Sequence, residues 1–228
     1  MKFFDENFTN YFQALESNNN TMWFDQNRKW YEKSVKSTFY EFIDELIIKL
    51  RKIDPEINIM PEDAIYRINN DIRFTKEKIP YKTWMKANIS PFGKKVKDYP
   101  GFYILMNHQH IIITGGSFQS EKQTLTQIRN SILRDPKGFR AIIDHPKFIE
   151  TFGRLEGEYN KQIPLEYRDV SKICPEIALK QFYFKKELPV DLIFDPNLTQ
   201  IICHQFEQAA DLHRFLCNAL RSVHRLAA

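Results

Sequence analysis

Two runs decide the fold: Phe102-Tyr103-Ile104-Leu105-Met106 and His110-Ile111-Ile112-Ile113-Thr114. Aromatic and β-branched side chains dominate both, the composition of buried strands. Only Asn107-His108-Gln109 stands between them, a hairpin-length connection. Working outward, Ala64-Ile65-Tyr66-Arg67-Ile68 alternates with the strand period. Thr83 to Ser90 is a weaker strand, with Trp84, Lys86, Asn88 and Ser90 on one side. Phe182-Tyr183-Phe184 adds one more. No helix-period run interrupts residues 64–114, so the strands follow one another and the sheet should be mostly antiparallel.

Both ends of the chain carry the 3.6-residue period instead. Phe8, Tyr11, Phe12 and Leu15 share one helical face. Asn18-Asn19-Asn20 interrupts, and Thr21 is the expected N-cap of a helix from Met22 to Lys33. Phe39, Phe42, Ile43, Leu46, Leu50 and Ile53 form an amphipathic stripe that Asp54-Pro55 should end. After Gly115-Gly116, Ser120 is the expected N-cap, with Gln123 at the capping-box position of a helix through Leu125, Ile128, Ile132 and Leu133. Residues 137–152 read as short helices, residues 154–176 as irregular, and Leu198 to Leu226 as helical again. No repeat or linker divides the chain. The expectation is one α+β domain over residues 1–228, its antiparallel sheet packed against N- and C-terminal helices. Trp23, Phe24, Tyr31, Phe42, Leu46, Phe206, Phe215 and Leu216 should lie between helices and sheet.

Composition narrows the class. A chain of 228 residues is long enough for a core that needs no disulfide or metal. Aromatics make up 14% of it, which argues against disorder, and only seven glycines leave little for a nucleotide-binding loop. The net charge of +4 is too mild for general nucleic-acid coating. Cys174, Cys203 and Cys217 are an odd set without C-x-x-C spacing, so buried thiols are expected rather than disulfides or a zinc site. Met1-Lys-Phe-Phe runs at once into Asp5, Glu6 and Asn7, and no stretch is apolar enough to cross a membrane. A cytoplasmic protein without cofactor, metal or membrane partner is the expectation.

A longer motif stands out: Ile65-Tyr66-Arg67-Ile68-Asn69-Asn70-Asp71-Ile72-Arg73-Phe74-Thr75-Lys76-Glu77-Lys78-Ile79-Pro80-Tyr81-Lys82. It resembles the signature of an uncharacterised family, the domain of unknown function 2461, whose pattern reads roughly Y-R-I-x-R-D-x-R-F-S-K-D-K-x-P-Y-K. Trp23-Phe24 with Asn27-Arg28 and Tyr31 resembles that family's W-F-x-x-N-R-x-x-Y. Gly115-Gly116 and the Leu125, Ile128-Arg129, Ile132 helix resemble its later pieces, so the likeness spans most of the chain. Asn70 stands where the family usually has Arg, Thr75 where it has Ser, and Glu77 where it has Asp. The resemblance implies an α+β fold and no established activity.

The chemistry concentrates in the same place. Residues 64–97 hold nine Lys or Arg and two acids, a local +7, so the rest of the chain carries −3. Tyr66, Phe74, Tyr81, Trp84 and Phe92 are interleaved with these cations. Such a patch can grip phosphate or carboxylate groups and stack on rings. The candidate ligand residues are Arg67, Asp71, Arg73, Lys76, Lys78, Tyr81 and Lys82, with Asp71 orienting an arginine in one polar network. Gly115 and Gly116, before a helix start, could let an anion approach the backbone. If there is catalysis, Tyr81 or Lys82 is the proton donor. A small anionic or phosphorylated ligand is the leading expectation, and a nucleic-acid or protein-interaction face the alternative. A plain ion-pair scaffold that protects a sheet edge explains the same residues. Arg129 should make a structural ion pair. His108 and His110 lack a third ligand, and His204 and His213 are out of phase on their helices.

Overall fold

The computed structural model describes residues 1–74, 76, 78–118, 121–221 and 223. Four strands, β1 (Met85–Ile89), β2 (Gly101–Met106), β3 (Ile111–Ser117) and β4 (Phe182–Leu188), form one antiparallel sheet in the order β1-β2-β3-β4. The hairpin between β2 and β3 closes on Asn107, whose side-chain oxygen accepts the backbone N–H of Gln109 and His110. One row across the sheet pairs Ile89 with Phe102, Phe102 with Gly115 and Gly115 with Phe184. Phe102 and Phe184 both meet Phe206 from the C-terminal helices, at ring-centre distances of 4.8 and 6.4 Å.

The N-terminal helices are α1 (Glu6–Ser17), α2 (Thr21–Gln26), α3 (Arg28–Tyr31) and α4 (Ser37–Leu50). A π-helical turn, Glu32–Lys36, joins α3 to α4. The short α5 (Pro61–Ala64) precedes the sheet. Between β3 and β4 lie α6 (Lys122–Arg134), α7 (Pro136–Ile143), α8 (Pro146–Phe152) and α9 (Arg168–Ser171). After β4 come α10 (Leu198–Glu207) and α11 (Ala210–Leu220). None of the described helices is long and apolar enough to cross a membrane. Phe8, Tyr11, Phe12 and Leu15 of α1 and Phe39, Phe42, Ile43, Leu46 and Leu50 of α4 are fully buried, as their spacing requires. Of the expected core, Trp23 and Phe215 are only partly covered, while Phe24, Tyr31, Phe206 and Leu216 are buried.

Several expectations shift. Residues 64–68 do not form a strand. Ala64 ends α5, and Ile65 makes only an isolated bridge to Ala87, because the chain leaves the edge of β1 at once. The Met22–Lys33 helix breaks at Asn27, whose amide donates to the Trp23 carbonyl at 2.9 Å and competes with the helical ladder. Asn20, not Thr21, is the N-cap and accepts from the Trp23 N–H. The next helix stops at Leu50, before Ile53, since Asp54 builds its own turn by accepting the Glu56 N–H at 3.1 Å. The helix after β3 has Glu121 at its cap position. The expected Ser120 cap lies outside the described residues, as do Thr75 and Glu77. Leu133 is exposed, and the buried face of α6 carries Thr124, Arg129 and Ser131 instead.

Gly115 and Gly116 are not at a strand-to-helix turn. Both lie inside β3, paired with Phe184 and Tyr183, ahead of a helix that begins only at Lys122. A Cβ on Gly115 would stand 2.3 Å from the Phe184 ring, and Gly116 has φ +110° with the Phe182 carbonyl 2.3 Å from its would-be Cβ. Their role in this fold is to seat β4 and its rings.

Candidate functional site

The two motif segments quoted above meet. Asn19, in the turn after α1, clasps Tyr81 twice: its Nδ2 donates to the Tyr81 carbonyl at 2.8 Å, and its Oδ1 accepts the Tyr81 N–H at 3.1 Å. The Tyr81 ring then lies flat on Phe24 of α2, with centres 3.9 Å apart and planes 10° from parallel. Beside this stack a cleft of about 300 Å³ opens between the N-terminal helices and the extended segment 65–69. Arg28, Tyr31, Glu32, Lys36 and Tyr40 form one wall, and Tyr66, Arg67, Asn69, Tyr81 and Lys94 the other. The π-helical turn helps to place Glu32, Lys36 and Tyr40 on the same wall. Such turns cluster at functional sites in other folds.

The cations in and near the cleft differ in what they already hold. Arg28 pairs with Asp25 at 2.6 Å and covers the Phe24 ring, and Lys36 pairs with Glu32 at 2.9 Å. Lys94 donates to the Ile65 carbonyl at 2.7 Å and to that of Glu62. Lys82 donates to the Arg67 and Asn69 carbonyls at 2.8 and 2.6 Å. Its ammonium is held below the ordinary lysine value by burial, with Arg67 and Lys86 adding repulsion. Lys86, on the sheet, lies over the Tyr66 and Tyr103 rings. Arg67 alone among these is exposed and makes no side-chain hydrogen bond or ion pair to the described residues.

The rest of the motif turns away. Asn70 bonds Pro80 and Ile79, and Lys78 donates to the Ile72 carbonyl at 2.7 Å, closing the base of a ribbon-like loop. Within it Arg73 meets both oxygens of Asp71, at 2.9 and 2.6 Å. That guanidinium holds the Asp71 carboxyl below its usual range. Arg67 does not join them, so the expected network of Arg67, Asp71 and Arg73 reduces to a local pair. Arg67 lies on the other side of the bridge between Asn69 and Tyr81, where its charge helps to lower the Asp71 carboxyl without an ion pair among the described residues. Phe74 beside the pair is 90% exposed, and Lys76 is exposed without a partner among the described residues. No hydrogen bond among the described residues joins Asp71 to Tyr81 or Lys82, so the sketched donor and orienter are not assembled.

Of the candidate residues, the structure brings Arg67 and Tyr81 into the cleft and Lys82 against its wall. It places Asp71, Arg73, Lys76 and Lys78 on the loop and Gly115 and Gly116 in the sheet. Arg28, Lys36, Tyr40 and Lys94 were missed as liners. Arg28 and Tyr31 stood in the motif Trp23–Tyr31, which hinted at the wall. Below them Tyr11 is fully buried, and its hydroxyl has no hydrogen-bond partner among the described residues. Burial first, then Tyr31 and Tyr81, push that phenol up, while Arg28 opposes.

Elsewhere, Arg129 forms no ion pair with the described residues but donates to the Ile177 and Leu179 carbonyls at 2.9 and 3.0 Å, a buried clamp on the irregular segment. His108 and His110 diverge, toward Glu16 at 3.4 Å and Glu187 at 2.5 Å. His213 does find ligand-type neighbours: Asp54 at 2.9 Å and Cys217 at 3.4 Å, all three buried. Both neighbours meet the same ring nitrogen, Nε2, so the set is no relay triad. Burial also pushes the Cys217 thiol up to about 12, far from a nucleophilic thiolate. A second, wider depression of about 890 Å³ takes Lys95, Lys97 and Lys180. It contains neither of the two motif segments that build the cleft.

The architecture defines an α+β domain with a tyrosine-rich, basic cleft at the joint between its N-terminal helices and its sheet. The chain belongs to the family described as conserved hypothetical protein (DUF2461), whose model matches residues 7–215. No curated protein and no solved structure matches it.

Proposed function

We propose that the cleft binds a small anionic ligand, a phosphate ester or a carboxylate, with Arg67 as its principal anchor. The observation that carries this reading is the uncommitted Arg67 guanidinium at a cleft walled by tyrosines, where neighbouring cations are already spent on carbonyls and carboxylates. A planar guanidinium matches two oxygens of such a group. Phenol hydroxyls at Tyr31, Tyr40 and Tyr66 line the same cleft and can donate to further oxygens. The reading is binding, with no reaction assigned.

The test is a melting-temperature panel of inorganic phosphate, sugar phosphates, nucleotides and carboxylates on the wild type and on Arg67→Ala. A stabilising shift with at least one member, absent in Arg67→Ala, is the expected result. Equal shifts in both proteins, or none in the wild type, would refute the reading. A second reading, interaction with nucleic acid or another protein, rests on Phe74, which projects beside Arg73, Lys76 and Lys78. It requires steeply salt-dependent oligonucleotide binding that weakens in Phe74→Ala and survives Arg67→Ala.

A further inference from the structure

We propose that Asp54, His213 and Cys217 form a binding site for a divalent transition metal, zinc by its ligand chemistry, which staples the turn after α4 to α11. This site is separate from the cleft, and neither reading depends on the other.

One oxygen, one nitrogen and one sulfur ligand atom lie within 4.8 Å of one another, and all three residues are buried. Two ligands held about 2.0 and 2.3 Å from one tetrahedral ion stand roughly 3.5 Å apart. The observed 3.4 Å from His213 Nε2 to Cys217 Sγ matches that spacing. The 2.9 Å from Nε2 to Asp54 Oδ2 is a hydrogen-bond distance, which would open to roughly 3.3 Å when both atoms turn onto one tetrahedral ion. The ligands are also aimed in advance. His213 and Cys217 are four residues apart on α11, so they share a face. The imidazole lies against the Phe102 ring at 4.4 Å, and its other nitrogen, Nδ1, has no partner among the described residues, so the polar contacts of the ring run through Nε2. Asp54 is fixed from behind: its Oδ1 accepts the Glu56 N–H, which leaves Oδ2 facing the histidine. A mixed sulfur, nitrogen and oxygen set suits zinc better than magnesium or calcium, which prefer all-oxygen cages. The site would tie together residues 159 apart in sequence. Binding displaces the thiol proton to solvent, and a proton on Nε2 moves to Nδ1, so that the neutral imidazole coordinates through Nε2.

The test uses the full chain, reduced and stripped of metal, titrated with cobalt(II) as a spectroscopic substitute for zinc. One equivalent should bind with intense thiolate-to-cobalt charge-transfer absorption, and zinc should displace it. Cys217→Ser should abolish that absorption, and Cys203→Ser should keep it. Absence of stoichiometric binding to the wild type, or an unchanged spectrum in folded Cys217→Ser, overturns the proposal. Should Cys217→Ser fail to fold, zinc-edge X-ray absorption on the Cys174→Ser, Cys203→Ser double variant decides. There Cys217 is the one thiol left. A sulfur neighbour at about 2.3 Å supports the site, and a shell of nitrogen and oxygen alone overturns it.

Discussion

The two ends of one motif behave differently. At its base, Ile65 to Asn69 and Tyr81 to Lys82 are tied into the body by the Asn19 clasp, the Phe24 stack and the Lys82 bonds to backbone carbonyls. At its tip, Asp71 and Arg73 form an ion pair with each other and with no other described residue, and Phe74 stands in solvent. Equal density of charge therefore hides three different jobs. Lys78, Lys82 and Lys94 hold backbone, Arg73 holds a neighbouring acid, and Arg67 is left to hold something else. A cation's partner, rather than its place in a basic run, tells which job it has.

The difference should be largest in stability. Tyr81→Ala removes a buried stacked ring and should cost about 3–5 kcal/mol in denaturant unfolding, the range for emptying a large aromatic site. Phe74→Ala should stay within about 0.5 kcal/mol, as surface changes do. Equal losses would erase the contrast between base and tip. The lysines give a smaller version. Lys82→Met leaves two carbonyls without their charged donor and should cost about 1–2 kcal/mol, below the full value for such bonds because the group is partly exposed. Lys76→Met should leave the unfolding midpoint unchanged.

Alkaline pH sharpens the comparison further, through the phenols. Burial raises Tyr11 and Tyr31 at the cleft, and Tyr99 and Tyr103 in and beside the sheet, above their ordinary value of 10.0. Above about pH 10 the unfolded chain loses phenol protons that the folded chain keeps, so it binds fewer protons and stability falls as pH rises. Lys82 and Lys86, depressed by burial, act in the opposite direction. They are fewer, so the net slope should be negative. A phenolate absorbance titration should show these tyrosines ionising only on unfolding. Normal titration in the folded state would mean that the rings are wetter than their burial implies.

What was legible in the residues follows from range. Helix α4 and strands β2 and β3 repeat their period over enough residues to declare themselves, and their buried faces agree. Period alone misread Ala64 to Ile68, where burial falls on Ala64, Ile65 and Ile68 and leaves Tyr66 and Arg67 outward, a pattern without the two-residue period of a strand. The two glycines looked like loop chemistry because nothing local announces a Phe184 ring lying across a strand. The site was half legible. Arg67 and Tyr81 stood in the dense motif, but Lys36 and Tyr40 belong to a helix entry whose π turn no pattern signalled. The meeting of Asp54 with His213 was invisible, since it brings the turn after α4 against α11, 159 residues on in the chain.

The most direct measurement compares Arg67→Ala with Arg73→Ala, two arginines of one motif six residues apart. Binding of the ligand found in the panel is followed by calorimetry at fixed ionic strength. Loss of the paired bonds from one guanidinium should weaken it at least tenfold in Arg67→Ala, since a charged hydrogen bond contributes about 1.5–3 kcal/mol. Arg73→Ala, whose partner is its own Asp71, should bind as the wild type does. Equal weakening in both variants, or a larger loss in Arg73→Ala, would move the site from the cleft to the loop tip and contradict the account.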